Sequence, residues 1–220
     1  MQKPWFLRKE YVESYEQYYE TKYKRADILE KEVLKEAILK LGNGKSILEI
    51  GCGTCHFTRW FESLGYYAVG VDISILMLKE SKKYWKGDII QGDSHYLPIR
   101  DKFFDYVTFI TCLEYMKEPH NVIKEAERVA KKGIILGLMN SWSLPTLRRR
   151  IQIALGKNPF YIDTNFYSIL SIKKIIKRAL KKFKIIYSNS TVFPRIFGKL
   201  KSRRFPFGAF LCIAIQLENK

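Results

Sequence analysis

Short apolar runs alternate with amphipathic segments along most of the chain. Apolar residues recur at helical spacing over 26–41, and Gly42-Asn43-Gly44 marks the end of that helix. Apolar strands are predicted in seven places: 47–50, 67–72, 88–93, 104–111, 133–139, 183–188 and 208–217. Helical segments separate most of these strands. This alternation predicts an α/β fold with a doubly wound sheet.

The stretch that follows the first strand carries the most specific chemistry. The strand ends in a Gly51-x-Gly53 turn. Apolar residues then return at helical spacing: Phe57, Trp60, Phe61 and Leu64. The order of strand, glycine turn and helix is typical of a nucleotide-binding site, because glycine lets the backbone turn tightly and lets a ligand approach it closely.

Two cofactors compete for this turn. A dinucleotide such as NAD would need a third glycine where this chain has His56, and its pyrophosphate would lie near the carboxylate of Glu49. S-adenosylmethionine (SAM) instead carries a sulfonium and an ammonium group, and a nearby carboxylate stabilises both. Glu49 therefore favours SAM, and an NAD-dependent oxidoreductase remains as the less favoured alternative.

Residues 46–54 resemble motif I of the class I SAM-dependent methyltransferases, and they are most similar to the type 11 methyltransferase domain family. That family usually has a third glycine where this chain has Cys55. The resemblance extends over residues 15–139. It implies a three-layer, Rossmann-like, doubly wound sheet of seven strands, mostly parallel with the last strand antiparallel, plus a small helical cap. It also implies cofactor contacts from Glu49, Gly51, Cys52 and Gly53.

The predicted second strand ends in Asp72, which follows the glycine turn at the spacing of one βαβ unit. A carboxylate in this position can accept both hydroxyl groups of a ribose. Alternatively, Asp72 caps the next helix, although Ser74 can fill that role as well. The family resemblance implies that Asp72 binds the SAM ribose and that Ile73 packs on the adenine.

The predicted third strand leads into Gly92-Asp93-Ser94, with Leu97-Pro98 close behind. This spacing resembles the G-D-x-x-x-L-P segment of the family. The resemblance implies that Asp93 accepts a hydrogen bond from the adenine amino group and that the backbone N–H of Ser94 donates to the adenine ring. We interpret His95 as a loop histidine near the site.

The end of the predicted fourth strand should face the cofactor, by the rule that ligands bind at the carboxyl ends of parallel strands. In the resembled family these positions contact the methionine part of SAM and the methyl acceptor: Thr111, Cys112, Leu113 and Glu114. Glu114 is either a general base or a helix cap. We assign no catalytic residue, because displacement at an activated sulfonium depends mainly on alignment.

Aromatic residues crowd the first 24 positions: Trp5, Phe6, Tyr11, Tyr15, Tyr18, Tyr19 and Tyr23. Tyr11, Tyr15 and Tyr18 have the spacing of one helix face. The resemblance identifies residues 1–45 as a helical lid, in which Tyr15 or Tyr19 would place a ring beside the sulfonium as a cation–π contact. The alternative is that these rings simply pack against the domain.

Three further regions complete the predicted organisation. Residues 46–140 form the SAM-binding core, 141–182 form a cap that includes a basic amphipathic helix, and 183–220 supply the strands that complete the sheet. Aromatic residues of the cap either line an acceptor pocket or pack between cap and core: Trp142, Phe160, Tyr161, Phe166 and Tyr167.

Charge is distributed unevenly along the 220 residues. Residues 1–147 carry 22 Lys or Arg and 20 Asp or Glu, whereas residues 148–217 carry 16 Lys or Arg and one acid, Asp163. Nearly all of the net charge of +17 therefore belongs to the last third. Such a field attracts phosphates, anionic lipids or acidic substrates, but it can also be an ordinary solvated surface.

Cysteine content and hydropathy narrow the remaining classes. Cys52 and Cys55 form a C-x-x-C pair, but the chain has no second pair that would complete a zinc site, so we expect no metal. The apolar runs 133–139 and 208–215 are too short to cross a bilayer or to act as a signal peptide. We therefore expect a cytoplasmic protein without a transmembrane segment.

Together these observations predict a SAM-dependent methyltransferase that acts on a small molecule, either anionic or lipid-like and quinone-like. An RNA methyltransferase that holds phosphates with the basic last third is the second choice. A SAM-binding regulator without turnover is a further alternative. The sequence leaves the oligomeric state open.

Overall fold

A computed structural model describes residues 4–157, 161, 164–202 and 205–218. Its centre is a seven-stranded sheet: β1 (Ser46–Ile50), β2 (Tyr67–Asp72), β3 (Asp88–Gln91), β4 (Phe104–Ile110), β5 (Ala130–Met139), β6 (Phe183–Thr191) and β7 (Phe210–Leu217). The strand order is β3-β2-β1-β4-β5-β7-β6. Strands β1 to β5 run parallel, and β7 is antiparallel to both β5 and β6. The predicted fold class is confirmed.

The helices cover both faces of the sheet: α1 (Lys9–Val12), α2 (Tyr15–Glu20), α3 (Lys24–Leu41), α4 (His56–Ser63), α5 (Ile75–Ser81), α6 (Pro119–Val129), α7 (Leu144–Ala154) and α8 (Ile169–Ala179). Alternate residues of one strand belong to different apolar clusters. On β1, Ile47 packs with residues of α3 and α4, whereas Leu48 packs with residues of α6 and α8. This period-two division produces the three layers, because successive strand side chains point to opposite faces.

Strand register places the carboxyl ends of the central strands side by side. Ile50 at the end of β1 is the partner of Val71 on β2 and of Phe109 on β4. The loops after β1, β2, β3 and β4 therefore emerge at one edge of the sheet, where a doubly wound fold binds its ligand.

The basic amphipathic helix predicted over 171–182 is present as α8, which begins and ends slightly earlier in the chain. Its apolar residues Ile172 and Ile176 are fully buried, whereas Lys173 and Lys177 are exposed. Helix α8 packs against α6 and the sheet, so its basic side faces solvent. Strand β6 then continues to Thr191, beyond the predicted end at 188.

The continuous helix face predicted from Tyr11 to Tyr18 is wrong. Tyr11 lies in α1, and Tyr15 and Tyr18 lie in α2. Between the two helices the Ser14 hydroxyl donates to the backbone carbonyls of Glu10 and Tyr11, each at 3.3 Å. Such local side-chain bonds compete with a continuous helix, and periodicity alone does not reveal them.

None of the helices in the described ranges combines the length and the apolar character that a bilayer crossing requires. Of the aromatic residues in the predicted cap, Tyr167 is buried in the core, Tyr161 and Phe166 lie with ring centroids 6.0 Å apart, and Trp142 is exposed. Phe160 lies outside the described residues.

Candidate cofactor site

The glycine turn after β1 is fixed by two backbone hydrogen bonds and by close packing. The N–H groups of Gly51 and Cys52 donate to the carbonyl of Val71 at 2.7 and 3.1 Å. Gly51 has a φ of 70°, and a Cβ atom at this position would lie 2.6 Å from the Cβ of Cys112. Glycine is therefore required here both by the left-handed backbone and by the approach of the loop after β4.

Asp72 is held at the end of β2 by the same turn. Its Oδ2 accepts from the N–H of Gly53 and its Oδ1 from the N–H of Ser74, both at 2.8 Å. Burial raises the pKa of Asp72, and these two hydrogen bonds act against that rise. Ser74 is the residue that caps α5, since its hydroxyl accepts from the N–H of Met77. Ser74, and not Asp72, is therefore the N-cap residue of α5, which removes the capping alternative for Asp72.

Glu49, the residue before the last one of β1, contributes a carboxylate to the lining of the cavity. The residue is 2% exposed, and the Thr58 hydroxyl donates to its Oε2. Burial raises the pKa of Glu49 well above its ordinary value, because the charged form loses its hydration. A cationic ligand in the cavity would stabilise the ionised form, so this carboxylate suits a sulfonium or an ammonium group.

The loop after β3 brings Asp93 and His95 together at the rim. His95 Nδ1 lies 2.8 Å from Asp93 Oδ1, and His95 Nε2 lies 2.8 Å from the carbonyl of Lys117. Both ring nitrogens face oxygen atoms, so the geometry suits a protonated imidazole that donates twice. The hydrogen bonds from His95 lower the pKa of Asp93. His95 therefore orients Asp93 and is not available as a general base.

Thr111 follows β4 in a left-handed conformation with a φ of 49°. Its N–H donates to the carbonyl of Gly137 at 2.7 Å, which holds the backbone in this conformation. Non-glycine residues adopt such a φ at a cost of about 1 kcal/mol or more, and strain of this kind is concentrated at functional sites.

All ten residues predicted to contact the cofactor line one cavity of about 390 Å³: Tyr19, Glu49, Gly51, Cys52, Gly53, Asp72, Ile73, Asp93, Ser94 and Thr111. The structure therefore brings together positions that are separated by up to 92 residues of sequence, a span from Tyr19 to Thr111. The volume is in the range of small-molecule and cofactor sites.

Trp5 and Phe6, which the sequence placed in the predicted lid without a specific contact, line the cavity on the N-terminal side. Trp5 stacks on Tyr15 with ring centroids 5.1 Å apart, and the carbonyl of Phe6 accepts a hydrogen bond from the Ser74 hydroxyl. Tyr19 stacks on the ring of His56 at 3.8 Å. One face of Tyr19 is therefore already covered by an imidazole.

An ion-pair network ties the N-terminal helices to the glycine turn. Glu16 on α2 is 5% exposed, and it accepts hydrogen bonds from the Thr54 hydroxyl and from Arg59. His56 Nε2 lies 2.7 Å from Asp27 Oδ1 on α3. Burial opposes protonation of His56, but its hydrogen bonds to Asp27 and Glu16 raise its pKa above the ordinary value. His56, which stands where a dinucleotide motif has its third glycine, therefore links the glycine turn to α2 through Glu16 and to α3 through Asp27.

The C-x-x-C pair lies in and directly after the glycine turn, and both thiols pack against Gly70 of β2. The Sγ atoms of Cys52 and Cys55 are 3.6 Å apart and not bonded to each other. Within the described ranges, no three His, Cys, Asp or Glu side chains are grouped so that they could hold a metal ion.

Comparison with known proteins identifies the family of the chain. The model of the methyltransferase domain family matches residues 48–137. An uncharacterized protein of Methanocaldococcus jannaschii is 35% identical over 192 residues, which cover 84% of this chain and 85% of that protein. A demethylmenaquinone methyltransferase of Renibacterium salmoninarum is 34% identical over 91 residues, 41% of this chain and 38% of that enzyme.

A similar fold is found in a SAM-dependent methyltransferase of Thermotoga maritima. Its crystal structure superposes with a TM-score of 0.79 at 23% identity and covers 97% of this chain and 99% of that one.

The chain belongs to the class I SAM-dependent methyltransferases.

SAM is the cofactor of this methyltransferase, and the NAD-dependent alternative is set aside. The residues present fit the cofactor, because the glycine turn and the buried carboxylates of Glu49 and Asp72 line the same cavity.

Glu114 does not take the helix-capping role that the sequence left open. Helix α6 begins at Pro119 with Glu118 in the N-cap position. Glu114 is fully buried outside the cavity lining, and its Oε1 accepts from the N–H of Met139. Its Oε2 is buried without a hydrogen-bond partner in the described part of the chain. Burial raises the pKa of Glu114 to about 8.

We expect Glu114→Gln to stabilise this methyltransferase increasingly as the pH rises. The folded state holds the Glu114 proton more tightly than the unfolded state, so wild-type stability falls between about pH 4.5 and about pH 8. Glutamine does not titrate, and the gain should reach about 1–3 kcal/mol at the upper end of this window. Urea unfolding of both proteins across that range measures it. A difference that stays constant with pH would contradict the assignment.

We expect Glu16→Gln to loosen the N-terminal helices. The substitution removes the charge that pairs with Arg59 and His56, and we expect a loss of about 1–2 kcal/mol in stability. SAM affinity should fall several-fold, because Tyr15 and Tyr19 on the same helix line the cavity. Thermal unfolding and calorimetry measure the two effects. Glu20→Gln changes an exposed residue on the same helix and is the control. Equal results for both variants would show that the ion pairs of Glu16 do not hold the helix in place.

Proposed function

We propose that the ten predicted residues hold SAM in an extended pose across the carboxyl ends of the strands. Asp72 accepts the ribose hydroxyls, Asp93 accepts the adenine amino group and the N–H of Ser94 donates to the adenine ring, with Ile73 against its face. Glu49 and Thr111 lie at the methionine end, beside the turn of Gly51, Cys52 and Gly53. The support for this pose is that all of these residues line a single cavity.

We further propose that the methyl acceptor is a small, apolar, lipid-like or quinone-like molecule. The cavity wall beyond the carboxylates is aromatic and apolar, with Trp5, Tyr15, Tyr115 and Met116 in it. The described lining includes three carboxylates, Glu49, Asp72 and Asp93, but one lysine, Lys117. An anionic acceptor would meet repulsion there. A relative that carries the name demethylmenaquinone methyltransferase supports the same acceptor class.

The protein's part in catalysis is alignment and exclusion of water. SAM supplies a methyl group on a positively charged sulfur, so the leaving group needs no activation. The aromatic residues of the N-terminal segment close the site, and a well-aligned pair of reactants can gain several kcal/mol over a free encounter. Glu49 stabilises the cationic end of the cofactor. A general base is needed only for an acceptor that must first lose a proton.

Methyl transfer from radiolabelled SAM tests the proposed acceptor class. The enzyme is incubated with a panel of apolar quinones and lipids and, separately, with transfer RNA and ribosomal RNA. We expect label in the organic extract of the quinone and lipid reactions, and much less label when Asp72→Ala replaces the wild type. Label in RNA, together with RNA retention that falls steeply with salt, would instead support the RNA methyltransferase alternative.

A further inference from the structure

Helix α7 exposes its apolar residues to solvent. Leu144, Leu147 and Ile151, together with Leu155 just after the helix, are 69%, 53%, 53% and 61% exposed. Their spacing of three or four residues places them along one side of the helix. We call these four residues the α7 stripe. A continuous apolar stripe of this kind marks an interaction surface, whereas single exposed leucines do not.

The opposite side of α7 meets the protein through Thr146, Arg149 and the half-buried Ile153. Thr146 is fully buried, and its hydroxyl lies 3.0 Å from the hydroxyl of Ser143. The guanidinium of Arg149 lies over the ring of Tyr161, with its central carbon 4.9 Å from the ring centroid. Helix α8 shows the usual arrangement, with Ile172 and Ile176 fully buried and lysines outside. The orientation of α7 is therefore the reverse of that in α8, and packing among the residues that the structure describes does not account for its stripe.

The surroundings of the stripe are aromatic and basic. Trp142 and Phe207 are 40% and 54% exposed, with ring centroids 6.2 Å apart beside the start of the helix. Arg148, Arg150 and Lys157 are exposed along α7 or directly after it. The sequence from 128 to 162 contains no aspartate or glutamate.

We propose that α7 docks on the surface of a bilayer that contains anionic lipids, lying in the plane of the interface. An interfacial helix needs an apolar face, basic residues beside it and aromatic residues at the level of the headgroups, and α7 has all three. A second copy of the chain is a poorer occupant, because a symmetric contact would bring the same arginines together. This inference does not depend on the identity of the methyl acceptor.

Vesicle flotation tests the proposal with the full chain. Vesicles of phosphatidylcholine alone are compared with vesicles that also contain phosphatidylglycerol, at low and at moderate salt. We expect the wild type to float with the anionic vesicles and much less with the neutral ones, with weaker binding as salt increases. We expect Leu147→Gln/Ile151→Gln to reduce the partition coefficient at least about tenfold, because it removes apolar area from the bilayer contact.

Leu39→Gln is the matched control, since Leu39 is 68% exposed on α3, away from the stripe. Its partition coefficient should equal that of the wild type. SAM affinity and thermal unfolding of all variants should also match the wild type, because the changed side chains are exposed.

Three results would overturn the proposal. The first is an absence of flotation with anionic vesicles. The second is flotation that the Leu147→Gln/Ile151→Gln change leaves unaltered, which would assign binding to the basic residues alone. The third is a dimer in light scattering that the same change dissociates, which would assign the stripe to a second copy of the chain.

Discussion

Replacing Asp72 by alanine is expected to weaken SAM binding about a hundredfold, or ~2.7 kcal/mol. The carboxylate is 8% exposed and is oriented by the N–H groups of Gly53 and Ser74. In the proposed pose it also accepts both ribose hydroxyls, and hydrogen bonds to a charged group contribute about 1.5–3 kcal/mol each. Titration calorimetry with SAM measures the change directly.

The Asp72 experiment needs a control for loss of folding, since alanine also leaves two backbone N–H groups unpaired. Asp72→Asn keeps an acceptor for one of them and should fall between the wild type and Asp72→Ala. Asp101→Ala removes an exposed carboxylate that pairs with Arg128, and it should bind SAM as the wild type does. Unchanged SAM affinity in a folded Asp72→Ala protein would remove the ribose role.

Replacing Gly51 by alanine is expected to destabilise the protein by about 3 kcal/mol and to abolish measurable SAM binding. About 1 kcal/mol comes from a side chain at a φ of 70°. The remainder arises because the new Cβ would lie 2.6 Å from the Cβ of Cys112, so the backbone of the turn or of the loop after β4 must move. Both loops line the cavity, and thermal unfolding with calorimetry reports the two losses.

Gly156→Ala separates the two causes. Gly156 has a φ of 66°, but a Cβ there meets nothing within 4 Å. This control should lose only about 1 kcal/mol and should bind SAM normally. Equal destabilisation by the two substitutions would show that the close approach to Cys112 contributes nothing.

The sheet could be predicted because its central strands are buried on both faces and its glycine turn has a specific spacing. Such strands read as short apolar runs, and the strand, turn and helix around Gly51 allow few other folds. The residues that line the cavity could be predicted for a related reason. The carboxyl ends of parallel strands lie at one edge of the sheet, so residues that follow these strands come together there. Asp72 and Asp93 are therefore neighbours in the cavity despite the helix and strand between them.

The closure of the site could not be predicted from periodicity. Glu16 and Asp27 look like ordinary charged residues of surface helices, and only the fold shows that they reach Arg59 and His56. His56 is the one residue in the sequence that could have indicated this network. A histidine in the place of the third glycine has a large polar side chain, and that side chain needs hydrogen-bond partners from another part of the chain. The orientation of α7 was missed for a related reason, because an amphipathic pattern does not say which side faces the protein.

A crystal structure with bound S-adenosylhomocysteine tests the central claim most directly. We predict both ribose hydroxyls within hydrogen-bonding distance of Asp72, the adenine amino group at Asp93 and the amino-acid end of the ligand beside Glu49. A ligand whose ribose lies away from Asp72, or whose adenine occupies the side of Glu49, would contradict the proposed site.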